Sequence, residues 1–215
     1  MNLVEIIRGK VKDDSGKLSD PDDLTNSCTE ALNRYSKARP MEAVVDVAGS
    51  GTHDVALPNG WVEGFSSILQ VEYPVDQIPA ETIDHKDYSI YATPAGKKLR
   101  ILTVTPDTTE TVRQTYTILH TEDSVPVPDL EAVANLAASI CCRILAGALS
   151  NTNDPTIQAD VVNYRSKSGE FTRLANELEK LYKSHLGIKD DDTVAAALIV
   201  AAPPEKERRR SRFFS

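Results

Sequence analysis

The residues of this sequence that come closest to a catalytic constellation are Ser50, His53 and Asp54, in the stretch GSGTHD. A serine, a histidine and an aspartate are the side chains with which many hydrolases carry out nucleophilic acyl transfer. Neighbouring residues of a strand point to opposite faces of a sheet, so His53 and Asp54 cannot both serve Ser50. The stretch also lacks a Gly-x-Ser-x-Gly elbow. The pattern therefore favours a hairpin turn over a catalytic triad.

Two further stretches resemble ligand sites. Gly96 and Lys97 in AGKKLR suggest a phosphate-binding loop, but such a loop needs two glycines that flank four residues and a helix after them, and a strand pattern follows here. His85 lies close to Asp84 and Asp87, where we favour a solvated loop over a metal site. We therefore predict no catalytic residue, no metal site and no cofactor, and a protein that is not an enzyme.

The C-terminal stretch PPEKERRRSRFFS carries five basic side chains against two acidic ones from Glu205 to Ser215. The whole chain has a formal net charge of −8, so the remainder is strongly acidic and is a poor candidate for wrapping DNA phosphates. Four arginines neutralise only a few phosphates, whereas arginines followed by two phenylalanines suit a groove on another protein. We predict that this tail docks on a partner through Arg208, Arg209, Arg210, Arg212, Phe213 and Phe214. Contact to DNA and a disordered end are the open alternatives.

The length and composition of the sequence indicate a folded protein that is made in a cytoplasm. A length of 215 residues with 40% hydrophobic content is enough to bury a core. The sequence shows no unbroken run of eighteen apolar residues and no signal-peptide pattern, so we predict neither a membrane span nor secretion. Three cysteines, two of them adjacent, cannot form a disulfide framework.

The elements that position these residues are helical at both ends of the sequence. A first helix is predicted over 20–40, with Asp20 as N-cap and Pro21 in the first turn. Two longer helices are predicted over 128–150 and 156–187, and the first of these is apolar on nearly all sides. Such a helix must be buried on more than one side, either in a helical bundle or between subunits. For a contact between subunits, the predicted packing residues are Leu130, Val133, Ala137, Ile140 and Ile144.

Between the first helix and the second, the apolar residues alternate with a period of two. Short runs rich in Val, Ile, Thr and Tyr are separated by Gly, Pro and Asn turns, which favours an antiparallel β-sandwich or barrel. The fold class is therefore α+β: a helical bundle of one N-terminal and two long C-terminal helices, an inserted β region of about six strands, and an extended C-terminal tail. The six predicted strands are AVVDV, HDVAL, SSILQVEY, DYSIYA, LRILTV and TVRQTYTIL.

These elements divide the chain into four predicted parts. Residues 1–19 form an N-terminal segment, and residues 20–40 and 126–187 together form the helical domain. Residues 41–125 form the inserted β domain. The C-terminal extension over 188–215 contains a short Ala-rich helix and the tail.

Five sequence stretches, in their order along the chain, resemble a known protein family. These are EALNRYSKARP, VALPNGWVEGFSSILQVEYPVDQIP, DYSIYATPAGKKLRIL, PDLEAVANLAASICCRILA and DVVNYRSKSGEFTRLANELEKLYKSHLG. From about Asp20 to Gly187 the chain resembles the head-to-tail adaptor, or connector, proteins of tailed bacteriophages. The resemblance implies a structural virion protein, most often a ring of twelve copies, that joins the portal to the tail or nozzle.

The same resemblance implies the remaining partners. Double-stranded DNA passes through the lumen of such a ring without sequence-specific binding, and the C-terminal extension docks on the portal protein. The location implied is the virion neck between capsid and tail, after assembly in the cytoplasm of the host bacterium. A tail-completion or tail-terminator ring protein is one alternative. An enzyme that acts on cell wall or polysaccharide, with the β region as its binding module, is another.

Deleting Arg208–Ser215 tests the tail. The segment follows Pro203 and Pro204 and cannot belong to the predicted core, so the truncated chain should fold with an unchanged melting temperature and lose binding to the portal. Pull-down with purified portal and thermal unfolding measure the two effects. Full binding by the truncated chain would show that the tail is not the docking segment.

Overall fold

The computed structural model describes residues 3–13, 16–19, 22–150 and 164–189. The predicted helix start at Asp20 and Pro21 lies outside these ranges. So do the first part of the last predicted long helix, up to residue 163, and the C-terminal extension from residue 190. The six residues predicted to dock on a partner fall within that extension.

Four helices form one unit around a shared apolar core. They are α1 (Leu3–Val11), α2 (Asp22–Ala38), α3 (Val127–Ser150) and α4 (Tyr164–Leu186). The central helix is α3, which packs against the other three. It is long and apolar enough to cross a membrane by length and composition, but 72% of its most apolar window is buried inside the protein.

Helix α1 was not predicted from the sequence. It places Leu3, Ile7 and Val11 on one face at intervals of four residues, and all three are buried in the core of the helical unit. Its nine residues give only two turns of periodicity, and an isolated helix of that length is unstable in water. Tertiary packing against α3 is therefore what stabilises it.

The β region is an insertion between α2 and α3 and consists of two three-stranded antiparallel sheets. One sheet has the strand order β1-β6-β3 and the other has the order β2-β5-β4. This arrangement confirms the predicted α+β class with an inserted region of six strands. The strands are β1 (Met41–Ala48), β2 (Asp54–Ala56), β3 (Ile68–Glu72), β4 (Tyr88–Thr93), β5 (Gly96–Ile101) and β6 (Thr111–Ile118).

The two sheets pack face to face as a sandwich with a core of its own. Val55 and Leu99 from one sheet meet Val71 and Val112 from the other, and all four side chains are fully buried. A polar contact also joins the sheets, since the side-chain amide Nε2 of Gln114 donates to the carbonyl oxygen of Ala56 at 3.0 Å. Apolar burial and this hydrogen bond therefore fix the relative position of the two sheets.

Strand β5 begins three residues earlier than the predicted run LRILTV. The β4–β5 hairpin pairs Thr93 with Gly96 and Tyr88 with Ile101, so pairing starts immediately after the turn. Gly96 has a φ of 114°, a conformation that other residues rarely adopt. The turn therefore sets the register, and Leu102, predicted within the strand, lies beyond its end and is exposed.

Leu145→Ala should destabilise the helical unit. Leu145 of α3 is fully buried, and removing such a side chain costs about 2–5 kcal/mol through lost apolar contact and a residual cavity. The matched control is Leu181→Ala on α4, where the side chain is 56% exposed and the cost should stay within about 0.5 kcal/mol. Chemical denaturation measures both values, and equal losses would contradict the central position of α3.

Candidate functional site

The serine, histidine and aspartate of GSGTHD have three separate structural partners. The Ser50 hydroxyl donates to the backbone oxygen of Asp54 at 2.7 Å. The Nδ1 atom of His53 lies 2.8 Å from the carbonyl oxygen of Ile101. The Asp54 carboxylate accepts two hydrogen bonds from the Arg100 guanidinium, at 2.6 and 2.8 Å. These contacts hold β2 against β5 and do not form a proton relay.

The other candidate groups also have structural contacts. His85 contacts the hydroxyl of Tyr88, and His120 Nδ1 lies 3.2 Å from the carbonyl oxygen of Ser124. Burial raises the pKa of the Cys28 thiol to about 11 and that of Cys142 to about 12, so neither is a ready nucleophile at neutral pH. Within the described ranges, no group of three or more His, Cys, Asp or Glu side chains is arranged to hold a metal ion.

The residues predicted to pack between subunits separate into two groups. Val133 and Ala137 are fully buried inside their own chain, because α1, α2 and α4 surround the centre of α3. Leu130, Ile140 and Ile144 are only partly buried. Packing between copies remains a prediction, and on this structure only the three partly exposed side chains are available for it.

The most highly connected polar side chain of the helical unit is Asp129, in the first turn of α3. Its Oδ2 atom accepts from the Tyr35 hydroxyl at 2.6 Å and from Nη1 of Arg39 at 2.8 Å. Its Oδ1 atom lies 2.8 Å from Nε2 of His185. Asp129 is only 5% exposed, so these three partners replace the water that its charge would otherwise bind. We call these four residues the Asp129 joint.

The joint lies where the chain passes between its two units. Arg39 follows the last residue of α2 and precedes β1, and Asp129 begins α3 shortly after β6. His185 lies in the last turn of α4, just before the C-terminal extension. The backbone N–H of His120 donates to the hydroxyl of Ser36 at 2.8 Å, which ties the end of the β region to α2. The joint therefore fixes both connections of the β insert and the end of α4.

The electrostatics of the joint favour the ionised carboxylate. Burial by itself would raise the pKa of Asp129, but hydrogen bonds from Tyr35, His185 and Arg39 outweigh burial, and the pKa is lowered below the ordinary 3.8. Burial and the neighbouring carboxylate raise the pKa of Tyr35, so Tyr35 remains a hydrogen-bond donor at neutral pH.

The Asp129 joint was not predicted from the sequence. Asp129 lies in the first turn of one helix and His185 in the last turn of another, where the helix dipole accounts for both residues by local charge alone. The two residues are 56 positions apart, and the sequence carries no signal that would bring them together.

No protein-family model and no curated protein matches this sequence. Three solved chains are similar to it at low identity. One comes from the virion of a native gene transfer agent particle (11% identity, 80% of this chain and 88% of that chain covered, TM-score 0.29). Another comes from the neck of the native particle computed with C12 symmetry (10% identity, 78% of this chain and 86% of that chain covered, TM-score 0.28). The third comes from the neck of the empty particle computed with C6 symmetry (11% identity, 80% of this chain and 88% of that chain covered, TM-score 0.29).

Asp129→Asn should destabilise the chain by about 1–3 kcal/mol at pH 7, because the charge that Tyr35, Arg39 and His185 share is lost. The loss is limited because the Arg39 and His185 side chains are 48% and 41% exposed and can be solvated. A lowered pKa stabilises the folded chain above pH 3.8 and loses this effect as pH falls through the folded value. The difference in unfolding free energy between wild type and variant should therefore be full above pH 3.8 and narrow as the pH falls below it.

The control is Asp46→Asn, which breaks a more exposed pair between β1 and Arg113 of β6 and should cost within about 1 kcal/mol. Denaturant unfolding between pH 3 and pH 7 measures both variants. If the loss of stability in Asp129→Asn is as large at pH 3 as at pH 7, the charge of Asp129 is not what stabilises the joint.

Proposed function

We propose that this chain is a head-to-tail adaptor of a tailed bacteriophage or a phage-like particle. It would form a ring, with twelve copies as the expected number, that joins the portal to the tail and lets double-stranded DNA pass through its lumen. The observation that carries the proposal is the set of five sequence stretches that resemble the adaptors. Within the described residues, these stretches lie in α2, the β insert, α3 and α4.

The surface of the helical unit supports lateral packing of copies. Leu130, Ile140 and Ile144 lie on one face of α3 and are partly exposed, whereas Val133 and Ala137 on the same face are fully buried. Val127 at the start of the same helix is 86% exposed. Partly exposed apolar side chains are expected at a contact between identical subunits, and repeated contacts of this kind close into a ring when the rotation fits.

The charge of the chain supports a channel role. The formal net charge is −8, and the β insert carries eleven carboxylates against five basic side chains between residues 41 and 119. Acidic walls repel the phosphate backbone, so DNA would slide through such a ring without being retained. In this proposal the cationic tail is reserved for the portal, where its arginines pair with carboxylates and Phe213 and Phe214 fill apolar pockets.

Native mass spectrometry of the full chain, alone and with portal, tests the ring. We expect one closed oligomer, or its formation on addition of portal. The variant Ile140→Gln/Ile144→Gln should lose the oligomer while its circular dichroism spectrum stays unchanged. The matched control is Ile90→Gln, which changes an apolar side chain that is 38% exposed on the β-sandwich and should leave the ring intact.

A chain that stays monomeric at all concentrations and in the presence of portal would overturn the proposal. If the ring still forms in the double variant, the proposed ring is retained, but the contact between subunits does not lie on α3.

A further inference from the structure

A cleft of about 510 Å³ lies between the C-terminal ends of α2 and α4. Leu136 of α3 and Ile188, which follows α4, give it an apolar wall. Arg34 and Lys37 of α2 and Lys183 of α4 line it with positive charge. The cleft is separate from the Asp129 joint, whose carboxylate does not line it.

Positive charge exceeds negative charge in this cleft. Its one lining carboxylate, Glu179, already accepts from Arg143 and lies 3.7 Å from Nζ of Lys183. Arg34 has a partner outside the cleft, in Glu30 one turn earlier on α2. Lys37 forms no ion pair within the described part of the chain. A further acidic group would therefore be favoured here on charge alone.

An unpartnered hydroxyl points to the same conclusion independently. Tyr182 lines the cleft and is only 4% exposed, and its hydroxyl has no hydrogen-bond partner among the described residues. Burial raises its pKa to about 12, and the nearby cations Arg34 and Arg39 act against that shift. A buried donor without an acceptor costs free energy. Among the described residues, the Tyr182 hydroxyl is therefore a buried donor without an acceptor.

We propose that the cleft binds a carboxylate-bearing segment, and that this segment is Asp190, Asp191 and Asp192 of the same chain. The described chain runs directly to them, because Ile188 lines the cleft and only Lys189 separates it from the first aspartate. At about 3.3 Å per residue, the four residues after Ile188 span at most about 15 Å, so the aspartates are within reach of the cleft along the chain.

The turn after α4 directs the chain towards the cleft. Gly187 has a φ of 70°, which ends the helix, and the N–H of Ile188 donates to the carbonyl oxygen of Lys183 at 2.9 Å. The next carboxylate along the sequence is Glu205, thirteen residues after Asp192. The aspartate run is therefore the acidic segment of this chain that is both near the cleft and complementary to it.

The contact would fix the point from which the remaining C-terminal extension leaves the helical unit. It is a contact within one chain, so it does not depend on the proposed adaptor function and is tested without portal.

The Tm of the full chain with Tyr182→Phe distinguishes a cleft that holds a carboxylate from an empty cleft. If the hydroxyl donates to a carboxylate, its removal lowers Tm by about 2–4 °C or more. If the cleft is empty, the variant loses only an unsatisfied group and its Tm stays the same or rises. The triple variant D190N/D191N/D192N should lower Tm similarly, and combining it with Tyr182→Phe should add little, because both remove the same contact.

Two controls match the charge changes. Glu205→Gln/Glu207→Gln removes acidic charge further along the extension and should leave Tm unchanged. Lys37→Gln should lower Tm, whereas Lys180→Gln on the exposed side of α4 should not.

A Tyr182→Phe chain as stable as wild type would overturn the proposal. Full additivity of Tyr182→Phe and the triple variant would also overturn it, because the hydroxyl would then have a different partner. A Tyr182→Phe effect that grows with protein concentration would assign the acidic segment to a second copy and would contradict the contact within one chain.

Discussion

The burial of most of α3 is the constraint on which the helical unit depends. A helix that is apolar on nearly every side is stable in water only when other elements cover it, and α1, α2 and α4 each cover one side. Fully buried alanines at positions 134, 137 and 138 leave little bulk between α3 and the helices around it. The cover is incomplete at Leu130, Ile140 and Ile144, which are partly exposed.

A second requirement follows from the insertion of the β region. The chain leaves the helical unit after α2 and returns before α3, so both connections must be held for the two units to keep a defined position. The Asp129 joint meets this requirement with one buried carboxylate and three donors from different parts of the sequence. Because the carboxylate is buried, each donor matters more than it would on the surface. The same residues that hold the β insert also hold the end of α4.

Much of the fold was predictable because it rests on local signals. The run Leu24, Cys28, Leu32 and Tyr35 has helical spacing, and the turns at Pro58–Gly60 and Pro94–Gly96 separate the strands. Helix α1 was missed because two turns carry too little periodicity. The start of β5 was missed because a hairpin turn, and not composition, sets its register. The Asp129–His185 contact was missed because it joins residues distant in sequence, whose types are equally well explained by helix dipoles. The tail residues and the contacts between copies stay predictions.

The pairing of β1 with β6 has a consequence for how the chain can vary. Met41 and Ile118, the first and last residues of the sandwich strands, are direct cross-strand partners. The chain therefore enters and leaves the insert at two points about 5 Å apart, a gap that a short turn closes. The 76 residues between those two partners form their own core and can be lengthened, exchanged or removed without changing the path of the helices.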